Sequence, residues 1–425
     1  MLAIARSTPH TLALPSLLAR TLATETIHST PPDIPPPPPL KPPAKPRTSL
    51  YPRPRPAVSH HHQVLPQLPA TFGSNQMLPV SNSTRALLES IVSQFDAPIR
   101  YAFAYGSGVF EQDGYGYGSG SAEGKGQGQE DAPMLDFMFA VTHPAHFHSI
   151  NMHQHPNHYP LHARVLGSSY VSRVEEIGPG VWFNAYVPMG GVRIKYGVTT
   201  IDNLCSDLLN WRTLYLAGRM HKPLRIIKDD ARVRLTQQVN LTSAVRAALL
   251  TLPHEFSETQ LFEKIAGISY TGDPRMFLPA ENRGKVVNIV RKQGPQFKEL
   301  YHRLVVGLPG VHWPAHSSTI RQDTAPGARA AHLKKLPSNL LKGVKDNYAR
   351  SDEVGVPPLE ADEVAYWLRL ASDKRLPDVL TEEMGRIVRY PATIQSLKGI
   401  ASAGLGKSLR YSIAKVGKWW SGSGQ

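Results

Sequence analysis

The apolar run "IRYAFAYGSGVF", Ile99 to Phe110, is broken by Gly106-Ser107-Gly108. Two glycines flanking a hydroxyl at the end of a core strand leave backbone N–H groups uncovered, an arrangement that grips phosphate. A second run, "PMLDFMFAVT", carries one carboxylate, Asp136, in its middle. A carboxylate there is costly unless it is paired or holds a metal. Lys195, apolar-flanked in "RIKYG", is placed to meet a phosphate as a point charge. Asp202 and Asp207 compete for a second-metal-ligand or structural role. Arg219, His221 and Lys222 follow a helix, where they meet either a substrate phosphate or the helix C-terminal dipole. "VTHPAHFHSINMHQHPNHYP" places six histidines between 143 and 158. It has no helical H-x-x-x-H register, nearby cysteine or clear acidic partner. We therefore read it as a polar substrate-side loop, with His148 a candidate contact to substrate phosphate.

These residues need elements to hold them. "STRALLESIVSQF" has apolar positions at Leu87, Leu88, Ile91, Val92 and Phe95, a helical spacing with Ser83 or Thr84 as cap. "GYGYGSGSAEGKGQGQED" offers several G-x-G pairs but no strand before it or helix after it, so it reads as a solvated insertion. "GVWFNAYVPMGGVRIKYGVTT" predicts two strands joined at Met189-Gly190-Gly191. "DNLCSDLLNWRTLYLAGRMHKPLRII" predicts a helix ending near Gly218. From about Lys228 the chain turns helical, and Ser257 with Gln260 fits a capping box. "PAHSSTIRQDTAPGARAA" reads as an exposed loop.

The 425 residues, 41% of them hydrophobic, can hold two or three domains. A formal charge of +14 favours anionic partners: nucleotides, nucleic acid or acidic lipid surfaces. The single cysteine, Cys205, excludes a disulfide framework and a cysteine-rich zinc site. Residues 1–30 have the composition of a mitochondrial transit peptide: Arg6 and Arg20, many Ser and Thr, and Glu25 as the only acid. Residues 31–70 are a Pro-rich linker without a core. At the other end, residues 393–425 place Ile394, Leu397, Leu405, Leu409, Ile413 and Trp420 near one helical face, with Lys398, Lys407, Arg410, Lys415 and Lys418 adding charge. That pattern suits an anionic membrane surface.

Strand, Gly-Ser turn, then a strand carrying an aspartate resembles the nucleotidyltransferase superfamily of the DNA polymerase beta type. Two departures stand out. The Gly-rich run lengthens the gap between Ser107 and Asp136, and the alternate positions around Asp136 are Met134 and Met138 rather than a second acid. "YGSGVF", "MLDFMFAVTHPAHFHSINM", "RIKYGVTT", "DLLNWRTLYLAGRMHKP" and "LKGIASAGLGKSLRYSIAKVGK", in that order, look like the mitochondrial phosphatidate cytidylyltransferase family over about residues 70 to 420. A single strand aspartate is that family's pattern.

The resemblance implies an α/β nucleotidyltransferase-type domain at 71–227 with the Gly-rich insertion at 113–131. A mostly helical, winged-helix-like domain would follow at 228–392, then the basic tail at 393–425. It implies a Mg²⁺-dependent enzyme, peripheral on the matrix side of the mitochondrial inner membrane. That enzyme joins CTP to phosphatidic acid, giving CDP-diacylglycerol and pyrophosphate for cardiolipin and phosphatidylglycerol synthesis, with no nucleic acid as partner. Tyr105, Gly106, Ser107 and Gly108 would bind the nucleotide, Asp136 the metal, with Asp136 and Lys195 catalytic. Arg219, Lys222 and His148 would be contacts to substrate phosphate. A template-independent RNA nucleotidyltransferase and a non-catalytic matrix scaffold supporting protein import are the alternatives.

Overall fold

The computed structural model describes residues 68–69, 71–106, 108–110, 134–277, 284–350 and 362–403, with side chains to Gly399. The presequence and most of the linker, Ser107, the Gly-rich insertion and residues 404–425 lie outside the described residues.

The two aromatic runs form neighbouring strands. β1 (Tyr101–Tyr105) pairs antiparallel with β2 (Leu135–Val141), so that Tyr105 stands opposite Asp136. The hairpin predicted at the Gly pair is β3 (Trp182–Met189) and β4 (Val192–Thr200). β4 lies parallel to β2, with Asp136 beside Lys195. β5 (Leu224–Lys228) completes a five-stranded sheet in the order β3-β4-β2-β1-β5. Alternation along β2 divides its side chains. Phe137 and Phe139 join Leu88 and Ile91 of α1 (Asn82–Ser93) in one core. Asp136 points the other way, with Met138 and Ala140, which belong to the larger core shared with the downstream helices. The cap of α1 is Ser81, not Ser83 or Thr84. Its Oγ accepts the Thr84 N–H at 3.2 Å.

The histidine-rich stretch is not a loop. Pro144, suited to a first helical turn, opens α2 (Pro144–Gln154), and a 3₁₀ turn, Pro156–His158, follows. α3 (Leu161–Glu176) returns the chain to β3. Among the described residues no group of three or more His, Cys, Asp or Glu side chains could hold a metal ion. The next helix, α4 (Ile201–Asn210), stops eight residues before Gly218 because Trp211 turns left-handed, φ 51°. Residues 212–222 are then turns.

α5 (Ala231–Thr251), β6 (Glu255–Ser257), α6 (Glu258–Gly267) and α7 (Lys285–Val306) follow. Ser257 and Gln260 form the expected capping box on α6. β7 (Val311–His312) and β8 (Thr319–Gln322) join β6 in a three-stranded sheet, order β6-β8-β7. The stretch read as an exposed loop thus supplies β8 and most of α8 (Pro326–Leu333). Gln322 fixes it there, its Nε2 reaching the carbonyls of Leu249, Leu252 and Pro253 at 2.9–3.0 Å. α9 (Ser338–Arg350), α10 (Glu363–Ser372) and α11 (Leu376–Ala403) complete the described chain.

α11 runs through the boundary expected at 392/393. Lys398, read as a surface cation, is buried. Its Nζ donates to the carbonyls of Glu175 (3.1 Å) and Ile177 (2.9 Å), where α3 ends and its dipole favours a cation. No described helix is long and apolar enough to cross a membrane.

Candidate active site

The end of the sheet where β1 finishes and β2 begins opens into a cavity of about 640 Å³. Tyr105, Gly106, Asp136 and Lys195 line one side. Register alone brings three of these together: Asp136 lies between Tyr105 on β1 and Lys195 on β4. Lys195 Nζ stands 3.8 Å from Asp136 Oδ1 and 4.6 Å above the Phe183 ring. Gly197 permits this: a Cβ there would come within 2.7 Å of the Phe183 ring edge. Gly106 has φ +91°, open to glycine and strained for other residues, and a Cβ on it would lie 3.5 Å from Asp136 Oδ2. The strand-end glycine thus keeps the approach to the carboxylate clear. Gly108, also expected at the nucleotide, has a packing reason to be glycine, since a Cβ there would meet Leu135 at 2.9 Å. Ser107 is outside the described residues.

Asp136 is 29% exposed, and burial lifts its carboxyl above the usual carboxylate range. Lys195, Arg219 and Lys285 pull in the opposite direction. Arg219 and Lys222, singled out from sequence, both line the cavity. The Arg219 guanidinium lies 3.9 Å from the Tyr215 ring centre and donates to the Tyr215 carbonyl at 2.7 Å, with the Tyr105 ring at 5.7 Å. Lys222 Nζ donates to the Gly218 carbonyl (2.6 Å) and to Ser269 Oγ (2.8 Å). Burial, then Arg219 and Lys285, push its ammonium down to about 7.

That depression gives a pH prediction. An unfolded lysine keeps its proton to a pKa of about 10.4. The unfolded chain therefore binds the extra proton between pH 7 and 10, and Lys222 costs least stability at the upper end of that window. A polyanion entering the cavity favours the charged form. Binding of such a polyanion should take up a proton just above pH 7, and affinity should fall as pH rises towards 9. Calorimetry in buffers of different ionisation heat measures this uptake, and Lys222→Met should remove it.

Four other candidates lie elsewhere. Asp207 is fully buried and is no metal ligand. Oδ1 accepts from the backbone of Thr213 (2.6 Å) and Leu214 (3.1 Å) and from Thr213 Oγ1 (3.0 Å), and Oδ2 from Leu216 and Ala217 (both 3.0 Å). It organises the turn that lays Thr213, Leu214 and Tyr215 along the cavity wall. Asp207→Ala strands four backbone donors, so unfolding in urea should show a loss of at least about 3 kcal/mol. Asp202, in the first turn of α4, is exposed and pairs with Arg232 at 2.5 Å. His148 is fully buried between Glu175 (2.8 Å) and the Tyr159 hydroxyl (2.8 Å) and does not line the cavity. His221 is likewise buried, bonded to Asn240 Oδ1 at 3.0 Å.

The residues of the opposite wall were not among the sequence candidates, although their stretch reads as a cation-rich helix. Lys285, Asn288, Ile289 and Lys292, spaced as one face of α7, line the cavity with Asp273, Arg275 and two α11 residues, Val388 and Ala392. The stripe in "KVVNIVRK" was its only signal in the sequence. Arg275 clasps both Asp273 oxygens at 2.6–3.1 Å, so that carboxylate is already neutralised.

Six cations, Lys195, Arg219, Lys222, Arg275, Lys285 and Lys292, thus face two carboxylates, one of them spent on Arg275. Fold and cavity together define a mixed α/β protein that can hold a polyanion at the end of its central sheet. Comparison with known proteins agrees. The family described as phosphatidate cytidylyltransferase, mitochondrial, matches residues 88–418, and the chain belongs to that family. Proteins of that name resemble it closely. The one from Xenopus laevis is 38% identical over 344 residues, covering 80% of this chain and 96% of the relative. The one from Saccharomyces cerevisiae is 41% identical over 353 residues, covering 82% and 74%. The one from Schizosaccharomyces pombe is 36% identical over 379 residues, covering 86% and 92%.

Proposed function

We propose that this chain transfers CMP from CTP to phosphatidic acid, releasing pyrophosphate and leaving CDP-diacylglycerol, at the matrix side of the mitochondrial inner membrane. The observation that carries this reading is the cation-lined cavity around Asp136 at the sheet end, in a chain of this family. An oxygen of the lipid phosphate attacks the α-phosphorus of CTP. A new P–O–P bond forms, the bond to the β-phosphate breaks, and pyrophosphate departs with the electron pair. Both reactants are anions, so neutralising charge in the transition state is the main task.

The residues divide that task. Gly106 leaves space for a phosphate beside Asp136. Lys195, braced on Phe183, and Arg219, stacked on Tyr215, face the triphosphate. Lys285 and Lys292 supply positive charge from the other wall. One available carboxylate, an open approach to it and neighbouring phosphates fit Mg²⁺, which takes few protein ligands and completes its shell from phosphates and water. Asp136 would hold it, and when bound it would neutralise charge between that carboxylate and the triphosphate.

The order α5–β6–α6–α7–β7–β8 suits a winged helix, and here Lys285 and Lys292 of α7 line the cavity. By their basic and apolar composition, residues 404–425 would bind an anionic membrane surface. The test is direct. Full-length protein with labelled CTP, phosphatidic acid liposomes and Mg²⁺ should carry label into the lipid phase. Label entering RNA instead, or no transfer by folded protein at any Mg²⁺ level, would overturn the reading.

A further inference from the structure

We propose that Lys398 is a positioning residue. It clips α11 to the end of α3, and α11 is the strap that fixes the width of the cavity; its part in transfer rests on the function proposed above.

α11 meets both sides of the cavity in turn. At Gly385 its backbone lies against the turn at Thr271 and Gly272. A Cβ on Gly272, φ +76°, would come within 2.4 Å of the Gly385 carbonyl oxygen, so only bare backbone lets the two meet. That turn leads straight into Asp273 and Arg275, which line the cavity. One helical turn further along α11, Val388 faces the cavity, and Ala392 does so a turn later. Ile394 then seats on Gly178, φ +68°, where a Cβ would meet Ile394 Cγ2 at 2.6 Å. Gly178 lies just before β3, the strand that carries Phe183 beneath Lys195. The strap therefore runs from the turn that presents Arg275 to the approach of the strand that braces Lys195.

The clip at its end is polar. Lys398 is buried on the same face as Ile394, one turn on, and its Nζ donates to the carbonyls of Glu175 at 3.1 Å and Ile177 at 2.9 Å. Both carbonyls belong to the C-terminal end of α3, where a helix leaves acceptors without partners of its own. That end is itself anchored, since the buried Glu175 carboxylate pairs with His148 Nε2 of α2 at 2.8 Å. Apolar contact alone has no direction, whereas two bonds from one ammonium set where along α3 the strap stops. The clip thus sets where Val388 and Ala392 stand in the wall.

Lys398→Met in the full-length protein keeps the stem and removes the donors. Amide exchange over residues 386–398 should quicken at least about tenfold while β2 keeps its protection. kcat/KM for CMP transfer from CTP to phosphatidic acid liposomes should fall about 10- to 100-fold, the cost of a small misplacement made away from the reacting atoms. Ile394→Ala loosens the same clip, so the double variant should be no more than about twofold worse than Lys398→Met. Leu88→Ala weakens the fold in the core between α1 and β2 and should keep transfer within about twofold below its melting temperature. An equal loss in Leu88→Ala, or losses that multiply in the double variant, would mean a general effect on stability and overturn the proposal. Transfer at the wild-type rate by Lys398→Met with a loosened α11 would overturn it too. If Lys398→Met does not fold, Ile394→Ala set beside Leu88→Ala decides the matter by the same two measurements. No transfer by the wild type would overturn the proposed function, and this role with it.

Discussion

Asp136→Ala should reduce label transfer from CTP to lipid by at least about a thousandfold while the protein melts no lower than the wild type. Two observations set this expectation. Asp136 is the cavity carboxylate that no arginine clasps, and it sits where β1, β2 and β4 meet. No other described acid replaces it: Asp207 is bound to its own turn, Asp202 pairs with Arg232, and Asp273 is held by Arg275. Charge placed where a transition state develops charge is worth about 10² to 10³ per group, and this carboxylate would also hold the metal. The stability half follows from the electrostatics. Burial raises the Asp136 pKa, so its ionised form is a cost to the fold at neutral pH, and alanine relieves that cost. Asp136→Asn keeps the shape and removes the charge, and it should be as inactive as alanine. Transfer near the wild-type rate in either variant would remove Asp136 from the reaction.

That centre was legible because its parts are local. An aspartate between aromatic residues, a lysine between β-formers and a glycine ending a strand each break a pattern within a few residues. Register then brings them together. α2 was hidden because its buried positions include His148 and Asn151, polar residues that interrupt the apolar stripe that marks a helix. Asp207 stayed open between metal ligand and structural group because its five donors come from a turn that no periodicity describes. The α7 wall carries a readable stripe, Lys285, Asn288, Ile289 and Lys292, but its meeting with Asp136 is made by packing across more than a hundred residues of chain. Lys398 shows the reverse error: a lysine in a basic amphipathic pattern is taken for surface charge until α3 offers it two carbonyls.

Arg219 tests whether the cavity works as a field of charge or as a set of shaped contacts. Burial disfavours its guanidinium charge, but Tyr215 and Tyr105 more than offset this and hold its pKa above the ordinary arginine value, so it is charged throughout the working pH range. Its plane lies over Tyr215, with Tyr105 and Phe183 within 6 Å. Rings that hold a planar cation in place leave its remaining N–H donors directed at an anion. Arg219→Ala should therefore lower kcat/KM for CTP by about 10² to 10³. Arg219→Lys keeps the charge, yet an ammonium neither stacks as a plane nor presents a two-pronged donor, and it should recover less than about a tenth of the lost activity. Steady-state kinetics on the two variants separate the cases. If lysine restores most of the rate, the cavity needs only positive charge at this point and the aromatic frame around Arg219 is packing.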